Sequence, residues 1–505
     1  MPRGLNYASL EQVSAWRFLR HRAAVAIGRR NVRLVHDPSK NSTAALAVGV
    51  VAAVLILGIC AIVAWIKPVG QVGKSQIVAD RSSGAIYVNV GGVMHPALNL
   101  ASARLIAGSA DNPTMVPMSE ILKLPVGPMV GILGAPNDLS VRTPGDTGWA
   151  LCDKLGSTGS LVIPRVTVID GIATMGDWAQ SIVAPQAALM TYGGAVFLVT
   201  DGHRSEIDLA DKPVTLALAL PVGDLHPAAM SRALYEALTP TAPLRVPDIP
   251  NPGAPVAYST SSLPLVSGSV MRVSDVTGDP EFFVALPAGV QRVPQTVATM
   301  IINASLIPGA QVLPAMSAAV ATLPQATGFD VSVYPPGAVR LLDKSVEPVT
   351  CVMWRKTNGE PQAQVTTISG RRLPIPVGDE RRVIPLVSAG AEVADEVYVT
   401  GAATNFVQVT GVSPTSTRGE SLWFVGDNGV RYGIPTVGNG DEQTLHSLGL
   451  KDTAPTPAPW AVIRWLPAGP ALSKAVALSQ HDTLPPNPYV AALPTPKSQP
   501  GAAGS

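Results

Sequence analysis

The sequence predicts an α+β protein with one membrane-spanning helix near its N-terminus and a large folded region after it. Three observations support this class: a stretch of 23 uncharged residues from Ala44 to Ile66, strand–turn–strand patterns that recur in the remaining chain, and short apolar helical stretches between them. The 46 glycines and 48 prolines indicate many short elements joined by turns. The region after the span exceeds one ordinary core, so we expect several lobes.

The segment before the span predicts a basic helix over residues 7–35. Apolar residues recur there at steps of three or four, at Val13, Trp16, Leu19, Ala23 and Ile27. Arginines occupy the remaining surface, so the predicted helix is amphipathic and basic. Such a helix either lies on anionic lipid or docks against a cytoplasmic partner, and a solvated arm that only sets orientation is the third alternative. The contact residues that we expect are Trp16, Arg17, Phe18, Arg20 and Arg22.

The uncharged stretch from Ala44 to Ile66 predicts a transmembrane helix. At 1.5 Å per residue it reaches roughly 35 Å, enough to cross a hydrocarbon core of about 30 Å, and it is too long for the core of a signal peptide. Residues 1–42 carry eight cations and two acids, whereas the rest of the chain carries 28 cations and 33 acids. The positive-inside rule therefore places the N-terminus in the cytoplasm and the large region outside.

Four segments of the large region predict β-hairpins. Each has two strand-like runs around a turn that contains glycine, because such turns require a positive φ. The segments are 85–96, 195–207, 282–294 and 422–435, and their turn glycines are Gly92, Gly202, Gly289 and Gly429.

A second signature follows each hairpin and predicts a short helix. It combines a proline, a serine and a helical run, at 117–122, 227–238, 314–323 and 470–478. The turn glycine and the serine are 27, 29, 28 and 44 residues apart, which we interpret as four repeats with an insertion in the fourth. Another apolar helical stretch lies between hairpin and second helix, as at 99–106 and 295–302. Each repeat is thus of β-β-α-α type and must pack on its neighbours.

Two inserts interrupt the repeats, and each contains one cysteine. Cys152 lies in the insert 140–190 and Cys351 in the insert 338–420, whereas Cys60 lies inside the predicted span. The exported side permits disulfides, so we predict a Cys152–Cys351 bridge that joins both inserts into one central β domain. Two buried free thiols are the alternative.

These patterns divide the chain into ten segments. They are 1–43 (cytoplasmic helix), 44–66 (span), 67–82 (juxtamembrane linker), 83–139 (repeat 1), 140–190 (first segment of the central domain), 191–256 (repeat 2), 257–337 (repeat 3), 338–420 (second segment of the central domain), 421–485 (repeat 4) and 486–505 (disordered tail).

The sequence contains one candidate for a nucleotide-binding segment and no motif of a catalytic or metal site. Gly73, Lys74 and Ser75 resemble the end of a phosphate-binding loop, but the pattern requires glycine where Pro68 stands, and a membrane helix precedes it instead of a strand. The seven histidines form no H-E-x-x-H pair, and no G-x-S-x-G elbow occurs.

Several blocks resemble one protein family, in order and spacing. They are QVSAWRFLRHR (12–22), KPVGQVG (67–73), HPALNLASARLI (95–106), LPVGPMVGILGAPNDL (124–139), WALCDKL (149–155), LWFVGDNGVRYGIP (422–435), APWAVIRWLPAGPALSKAVAL (458–478) and HDTLP (481–485). The chain therefore resembles the EccB family, membrane-anchored core components of mycobacterial type VII (ESX) secretion systems. The resemblance covers all but the extreme N-terminus and the tail.

The resemblance implies an architecture and a set of partners. It implies a cytoplasmic helix, one span of the inner (plasma) membrane, and an elongated periplasmic domain of four repeats around a disulfide-linked central domain. It also implies assembly with EccC, EccD and EccE into a hexameric complex that contains several copies of the chain, with the mycosin protease on the periplasmic side.

The expected function is that of a structural component, a periplasmic scaffold that multimerises over the export pore and needs no cofactor. The family is also described as an ATPase, so ATP hydrolysis through Lys74 and Ser75 is the alternative. A cell-wall binding module is the third interpretation, and the repeats alone suggest it.

Overall fold

The computed structural model describes residues 9–30, 39–66, 72–142, 145–158, 161–221, 223, 225–274, 278, 280–387, 392–401, 403–435 and 441–484. The predicted tail 486–505 lies outside these residues. The chain divides into two compact bodies, Met1–Gly73 and Lys74–Ser505.

The first body contains two helices. Helix α1, Leu10–Arg29, begins with a capping box in which the Ser9 hydroxyl accepts a hydrogen bond from the Gln12 amide and the Gln12 side chain accepts one from Ser9. It lies within the helix predicted over 7–35 and ends at Arg30, which adopts a left-handed conformation. Helix α2, Ser39–Ile66, contains Ala44–Ile62, which by length and composition is the one described helix able to span a membrane.

The second body is built from short strands and helices. Its helices are α3 (Leu100–Ala107), α4 (Met118–Ile121), α5 (Lys212–Ala217), α6 (Arg232–Ala237), α7 (Gln295–Asn303), α8 (Ser317–Ala321), α9 (Asp441–Leu448), α10 (Trp460–Ile463) and α11 (Lys474–Ala477), with a 3-10 helix at Asp379–Arg382.

The strands of the first half are β1 (Ile77–Asp80), β2 (Ile86–Val90), β3 (Val93–Pro96), β4 (Thr114–Val116), β5 (Met129–Val130), β6 (Thr147–Thr158), β7 (Leu161–Asp170), β8 (Ala179–Ser181), β9 (Gln186–Tyr192), β10 (Ala195–Val199), β11 (His203–Ile207), β12 (Ala228–Ala229) and β13 (Thr239–Pro240). Those of the second half are β14 (Val270–Ser274), β15 (Pro280–Leu286), β16 (Gly289–Val293), β17 (Leu313–Ala315), β18 (Arg340–Leu341), β19 (Val349–Lys356), β20 (Gln364–Gly370), β21 (Ile384–Pro385), β22 (Glu396–Val399), β23 (Phe406–Thr410), β24 (Leu422–Val425), β25 (Arg431–Ile434), β26 (Thr456–Pro459), β27 (Ala468–Gly469) and β28 (Gln480–His481).

Four lobes share one order of elements: lobe 1 (77–130), lobe 2 (186–244), lobe 3 (270–325) and lobe 4 (406–469). In each, three antiparallel strands precede a helix, and the fourth strand pairs in parallel with the first. A short helix follows, and the chain then runs parallel to the third strand. Each lobe is therefore a small sheet with helices attached.

The first strand of each lobe precedes the predicted hairpin, so several predicted boundaries were wrong. Strand β1 lies inside the segment 67–82 that we predicted to be a linker. The predicted repeat 2 begins at 191, within β9, and β23 lies in the segment 338–420 that we assigned to the central domain. These strands pair with partners distant in sequence, such as β4 for β1, so their role is invisible in a local hairpin pattern.

The four predicted hairpins are present, but one turn differs from the prediction. Gly92, Gly202 and Gly429 have positive φ values between their paired strands. Gly289 instead begins β16, after the turn residues Pro287 and Ala288. A Cβ at Gly289 would lie 2.4 Å from the carbonyl oxygen of Pro324. Close approach of a neighbouring backbone, rather than the turn, therefore requires glycine there.

The insertion predicted in the fourth repeat was also wrong, because the counterpart of α4 is α10 and not the segment 470–478. Both helices follow the fourth strand of their lobe, and LPVGP (124–128) corresponds to LPAGP (466–470). The shared glycine has one cause in both lobes. A Cβ at Gly127 would lie 2.3 Å from the His95 ring, and one at Gly469 would lie 2.4 Å from the Tyr432 ring.

A seven-stranded sheet, in the order β21-β22-β7-β6-β19-β20-β8, combines strands from both predicted inserts. Cys152 of β6 and Cys351 of β19 are paired across adjacent strands and form a disulfide. The predicted bridge is therefore confirmed.

The lobes pack in two pairs around this central sheet. Helix α3 of lobe 1 contacts α9 of lobe 4 as well as α11, and β28 pairs with β5. Helices α5 of lobe 2 and α7 of lobe 3 form the other pair. Lobes 2 and 4 also pack on the central sheet, so they are the inner lobes, and lobes 1 and 3 are the outer ones.

Candidate functional site

The candidate site is the junction where the two inner lobes meet on one face of the central sheet. The short helices α6 and α10 contact each other and β6. Ala233 and Leu234 of α6, Val462 and Ile463 of α10, and Trp149 of β6 are all buried in one apolar core. Apolar area removed from water contributes about 25 cal/mol per Å². This core therefore holds two lobes and the sheet together.

Four charged side chains close a ring at this junction. Glu236 of α6 accepts hydrogen bonds from Arg232 Nε at 2.7 Å and from Arg464 Nη1 at 2.8 Å. Glu392, which precedes β22, accepts one from Arg232 Nη1 at 2.5 Å and lies 3.6 Å from Arg464 Nη2. The ring thus links lobe 2, lobe 4 and the segment leading into the central sheet. Because its members are partly exposed, it orients the helices more than it stabilises them.

A buried carboxylate fastens α6 to the central sheet. Asp153 of β6 accepts one hydrogen bond from the Ser231 hydroxyl and one from the Ser231 backbone amide, each 2.6 Å long. Ser231 also caps α6, because its hydroxyl accepts from the Leu234 amide at 3.0 Å. Burial raises the pKa of Asp153 to about 7, against the two hydrogen bonds that lower it.

A second buried carboxylate lies where lobe 4 leaves the central sheet. Asp170 of β7 accepts a hydrogen bond from the Thr404 amide at 3.2 Å, and burial raises its pKa to about 8. Beside it, the backbone amide of Arg142 donates to Asn405 at 2.9 Å, and its guanidinium pairs with Asp427 at 2.6 Å. These contacts tie the entry of β6 to lobe 4.

The disulfide lies on the opposite face of the sheet, away from the junction. That face is covered by the segments 171–178 and 371–383. The Tyr398 hydroxyl donates to Asp379, and burial together with this bond raises the pKa of Tyr398 to about 12. The guanidinium of Arg372 lies 4.7 Å from the ring centroid of Trp178.

The predicted contact residues of α1 are all exposed. Trp16 is 59% and Phe18 60% exposed, and Arg17, Arg20 and Arg22 also face solvent. The Arg20 guanidinium lies 5.3 Å from the Trp16 ring centroid, so the helix presents an aromatic ring and a cation together.

Lys74 and Ser75 lie in a turn that leads directly into β1. The Ser75 hydroxyl is 2.8 Å from the Thr114 hydroxyl, which connects the start of lobe 1 to its fourth strand. A phosphate loop uses the backbone amides at the start of a helix, whereas a strand follows Lys74. Among the described residues, no three His, Cys, Asp or Glu side chains are grouped so as to hold a metal ion.

Sequence reasoning identified some of this junction. It selected Ser231 as a member of a recurring signature and Cys152 as half of a bridge, but it missed Asp153, Glu236, Glu392 and Arg464. Glu236 and Arg464 are 228 positions apart, and Arg232 and Glu392 are 160 apart. The i,i+4 spacing of Arg232 and Glu236 could have predicted their ion pair on the surface of α6.

Comparisons with known proteins agree along almost all of the chain. The family described as type VII secretion system ESX-1, transport TM domain B (EccB) matches residues 6–486. The "ESX-5 secretion system ATPase EccB5" of Mycobacterium tuberculosis is 38% identical over 500 residues, 98% of this chain and 97% of the relative.

Solved structures show the same similarity in three dimensions. A chain of an intact ESX-5 inner membrane complex matches with a TM-score of 0.74 and 36% identity, over 98% of this chain and 99% of that one. A chain of an EccB3 dimer from the ESX-3 core complex matches with a TM-score of 0.69 and 34% identity, over 80% of this chain and all of that one.

Proposed function

The chain belongs to the EccB family of type VII secretion proteins, and on that premise we propose that it is a structural core component of an ESX membrane complex. In this proposal α2 anchors the chain, and the second body forms a periplasmic scaffold that multimerises over the export pore. Similarity to chains of an ESX inner membrane complex and of an EccB3 dimer supports this proposal.

The observation that carries the scaffold role is the junction of the inner lobes. Its charged groups join different regions of the same chain: Asp153 of the central sheet binds Ser231 of lobe 2, and Glu236 of lobe 2 binds Arg464 of lobe 4. Buried polar groups that are satisfied inside the chain add specificity to its packing. A scaffold needs such a frame, because contacts on different lobes must keep a constant geometry.

The charge distribution supports an inner-membrane location with the N-terminus in the cytoplasm and the second body in the periplasm. Residues 1–42 carry a net charge of +6, which favours retention of this segment on the cytoplasmic side. The exposed ring of Trp16 and the arginines around it then face the cytoplasm, where α1 docks against a partner domain or the anionic leaflet.

The partners in this proposal are EccC, EccD, EccE, the mycosin protease and further copies of the chain within a hexameric complex. The four lobes are repeats of one unit, which their shared order of elements and the matching glycines Gly127 and Gly469 support. These lobes form an elongated domain around the disulfide-linked central sheet.

One complementation experiment separates the scaffold from the ATPase that the names of the relatives suggest. Cells that lack the chain receive the full-length protein, its Lys74→Ala variant, or a Lys123→Ala control at another exposed lysine. We expect all three to restore the membrane complex on a native gel and to restore secretion. A complex that assembles but does not secrete with Lys74→Ala alone would overturn the scaffold role in favour of nucleotide hydrolysis.

A further inference from the structure

Lobe 3 contains a long stretch without any charge. Residues 293–329, 37 in all, include no Asp, Glu, Lys, Arg or His. The chain as a whole is 14% charged, so a stretch of this length would ordinarily carry about five charged residues. The charge-free stretch contains α7, β17 and α8.

Much of this stretch faces solvent. The inner side of α7 is buried, but from 303 to 325 only Val320 is fully buried. Met316, at the start of α8, is 77% exposed, and Leu306 and Val312 are 37% and 38% exposed. We call residues 303–325 the lobe 3 face. Interface cores are depleted of charge and enriched in methionine, so this composition is typical of a protein contact.

The inner lobes show how the same element is used inside the chain. Helices α6 and α10 are the counterparts of α8, and both are covered by the central sheet and by each other. In lobe 3 the helix has no such cover within the residues that the structure describes, although its sequence is as apolar. In lobes 2 and 4, therefore, the counterpart of α8 serves as a contact surface.

The absence of charge favours a second copy of the same chain as the occupant. In a two-fold contact the same patch meets itself, so any charge close to the axis faces its own like charge. An uncharged patch carries no such penalty. The exposed helix α4 of lobe 1 differs, because it carries the ion pair of Glu120 with Lys123.

We propose that the lobe 3 face binds the lobe 3 face of a second copy in a two-fold contact with Met316 near its centre. All residues of the face except Val320 are at least partly exposed, which leaves 22 residues available for contact, against the about 20 to 30 per side of a standard interface. This inference rests on the proposed oligomeric scaffold and names the surface that joins two of its copies.

The test uses the full-length chain in detergent, with its mass measured by light scattering over a range of concentrations. Met316→Asp puts two carboxylates near the axis, and we expect the dimer dissociation constant to rise at least tenfold. The control is Val377→Asp, at a residue that is 65% exposed on the segment covering the other face of the central sheet. The dimer dissociation constant of Val377→Asp should stay within twofold of that of the parent.

Charge complementation then separates contact from misfolding. Mixing Met316→Asp chains with Met316→Lys chains should restore dimers that contain one of each. If the parent is dimeric and Met316→Asp has the same dimer dissociation constant, or if the mixture forms no dimers, the lobe 3 face is not the contact surface. Either result would leave the proposed scaffold function unaffected. A parent that is monomeric throughout would overturn both, and a photo-cross-link from position 316 to a different protein in cells would overturn the choice of a second copy.

Discussion

Asp153 and Ser231 are 78 positions apart in the chain and share two hydrogen bonds of 2.6 Å. The carboxylate of a central strand is thereby held by the residue that begins a helix of lobe 2. The Ser231 side chain caps α6, and its hydroxyl and backbone amide both donate hydrogen bonds to the buried carboxyl of Asp153. Together these bonds fix where lobe 2 meets the central sheet.

Ser231→Ala should lower the free energy of unfolding by about 2–4 kcal/mol. The loss combines a helix cap, about 1 kcal/mol, with a hydrogen bond to a buried carboxylate, about 1–3 kcal/mol. Ser473→Ala is the matched control, since Ser473 caps α11 by accepting from the Val476 amide and, among the described residues, bonds no carboxylate. Urea unfolding measures the loss of unfolding free energy in both variants. Equal losses would show that the hydrogen bond from the Ser231 hydroxyl to Asp153 contributes nothing to stability.

Asp170 should make the chain less stable as the pH rises from about 4 to 8. Its pKa is raised from an ordinary 3.8 to about 8, so the folded state keeps a proton that the unfolded state has released in this window. Stability is therefore fully present below the ordinary pKa and is lost as the pH rises through the folded one, at up to about 1.4 kcal/mol per pH unit.

The variant Asp170→Asn should remove that contribution from the pH dependence of urea unfolding between pH 5 and 8. Asp153 would still contribute a slope up to about pH 7, because its pKa is raised in the same direction. Asp330→Asn serves as control, since hydrogen bonds from Ser332 lower the pKa of Asp330 and its titration lies below the window. A slope that is unchanged in Asp170→Asn would contradict the assignment.

Removal of the disulfide should destabilise the second body strongly. The bridge closes a loop of 199 residues, for which the loop-entropy model gives up to about 5 kcal/mol. The variant Cys152→Ala/Cys351→Ala is compared with Cys60→Ala, whose thiol lies in α2 and is free. Denaturant unfolding under non-reducing conditions should separate the two by several kcal/mol, and a difference below about 1 kcal/mol would refute the role of the bridge.

Glu236→Gln should lower the free energy of unfolding by about 1 kcal/mol. The free energy of unfolding of the variant should also depend less on salt concentration than that of the parent. Glu236 bridges two arginines that are 30% and 45% exposed, so solvent screens the ring and limits its contribution. Glu281→Gln, which removes a pair with Arg292 inside lobe 3, is the control and should cost a few tenths of a kcal/mol. If both variants lose the same amount, the ring adds nothing beyond a single exposed pair.

The local elements of this fold were predictable, and the long-range ones were only partly so. The hairpin of β2 and β3 and helix α3 follow from alternation, turn glycines and helical spacing, which act over a few residues. Strand β1 was missed and β23 was assigned to the central domain, because each completes a sheet whose other strands follow later in the chain. The serine-based match to 470–478 failed because one short signature can align to the wrong helix.

The candidate site was less predictable than the fold. Cys152 and Cys351 could be paired from the sequence, since they were the two exported cysteines. The ring around Glu236 requires knowledge of how lobes 2 and 4 meet, and no spacing in the sequence encodes that. The exposed arginines of α1 were predictable, because the pattern of apolar and basic positions along a helix is local in the sequence.

The pairing of β28 with β5 has a consequence for the order in which the chain folds. Gln480 and His481 pair with Val130 and Met129, so strand β5 of lobe 1 cannot form this pairing until residues about 350 positions later have been synthesised. Its helix α3 likewise waits for α9 and α11. Lobe 1 is therefore the first lobe to be synthesised and the last to be completed, and until then its unpaired edge and apolar helix face are open to chaperones, proteases and incorrect partners.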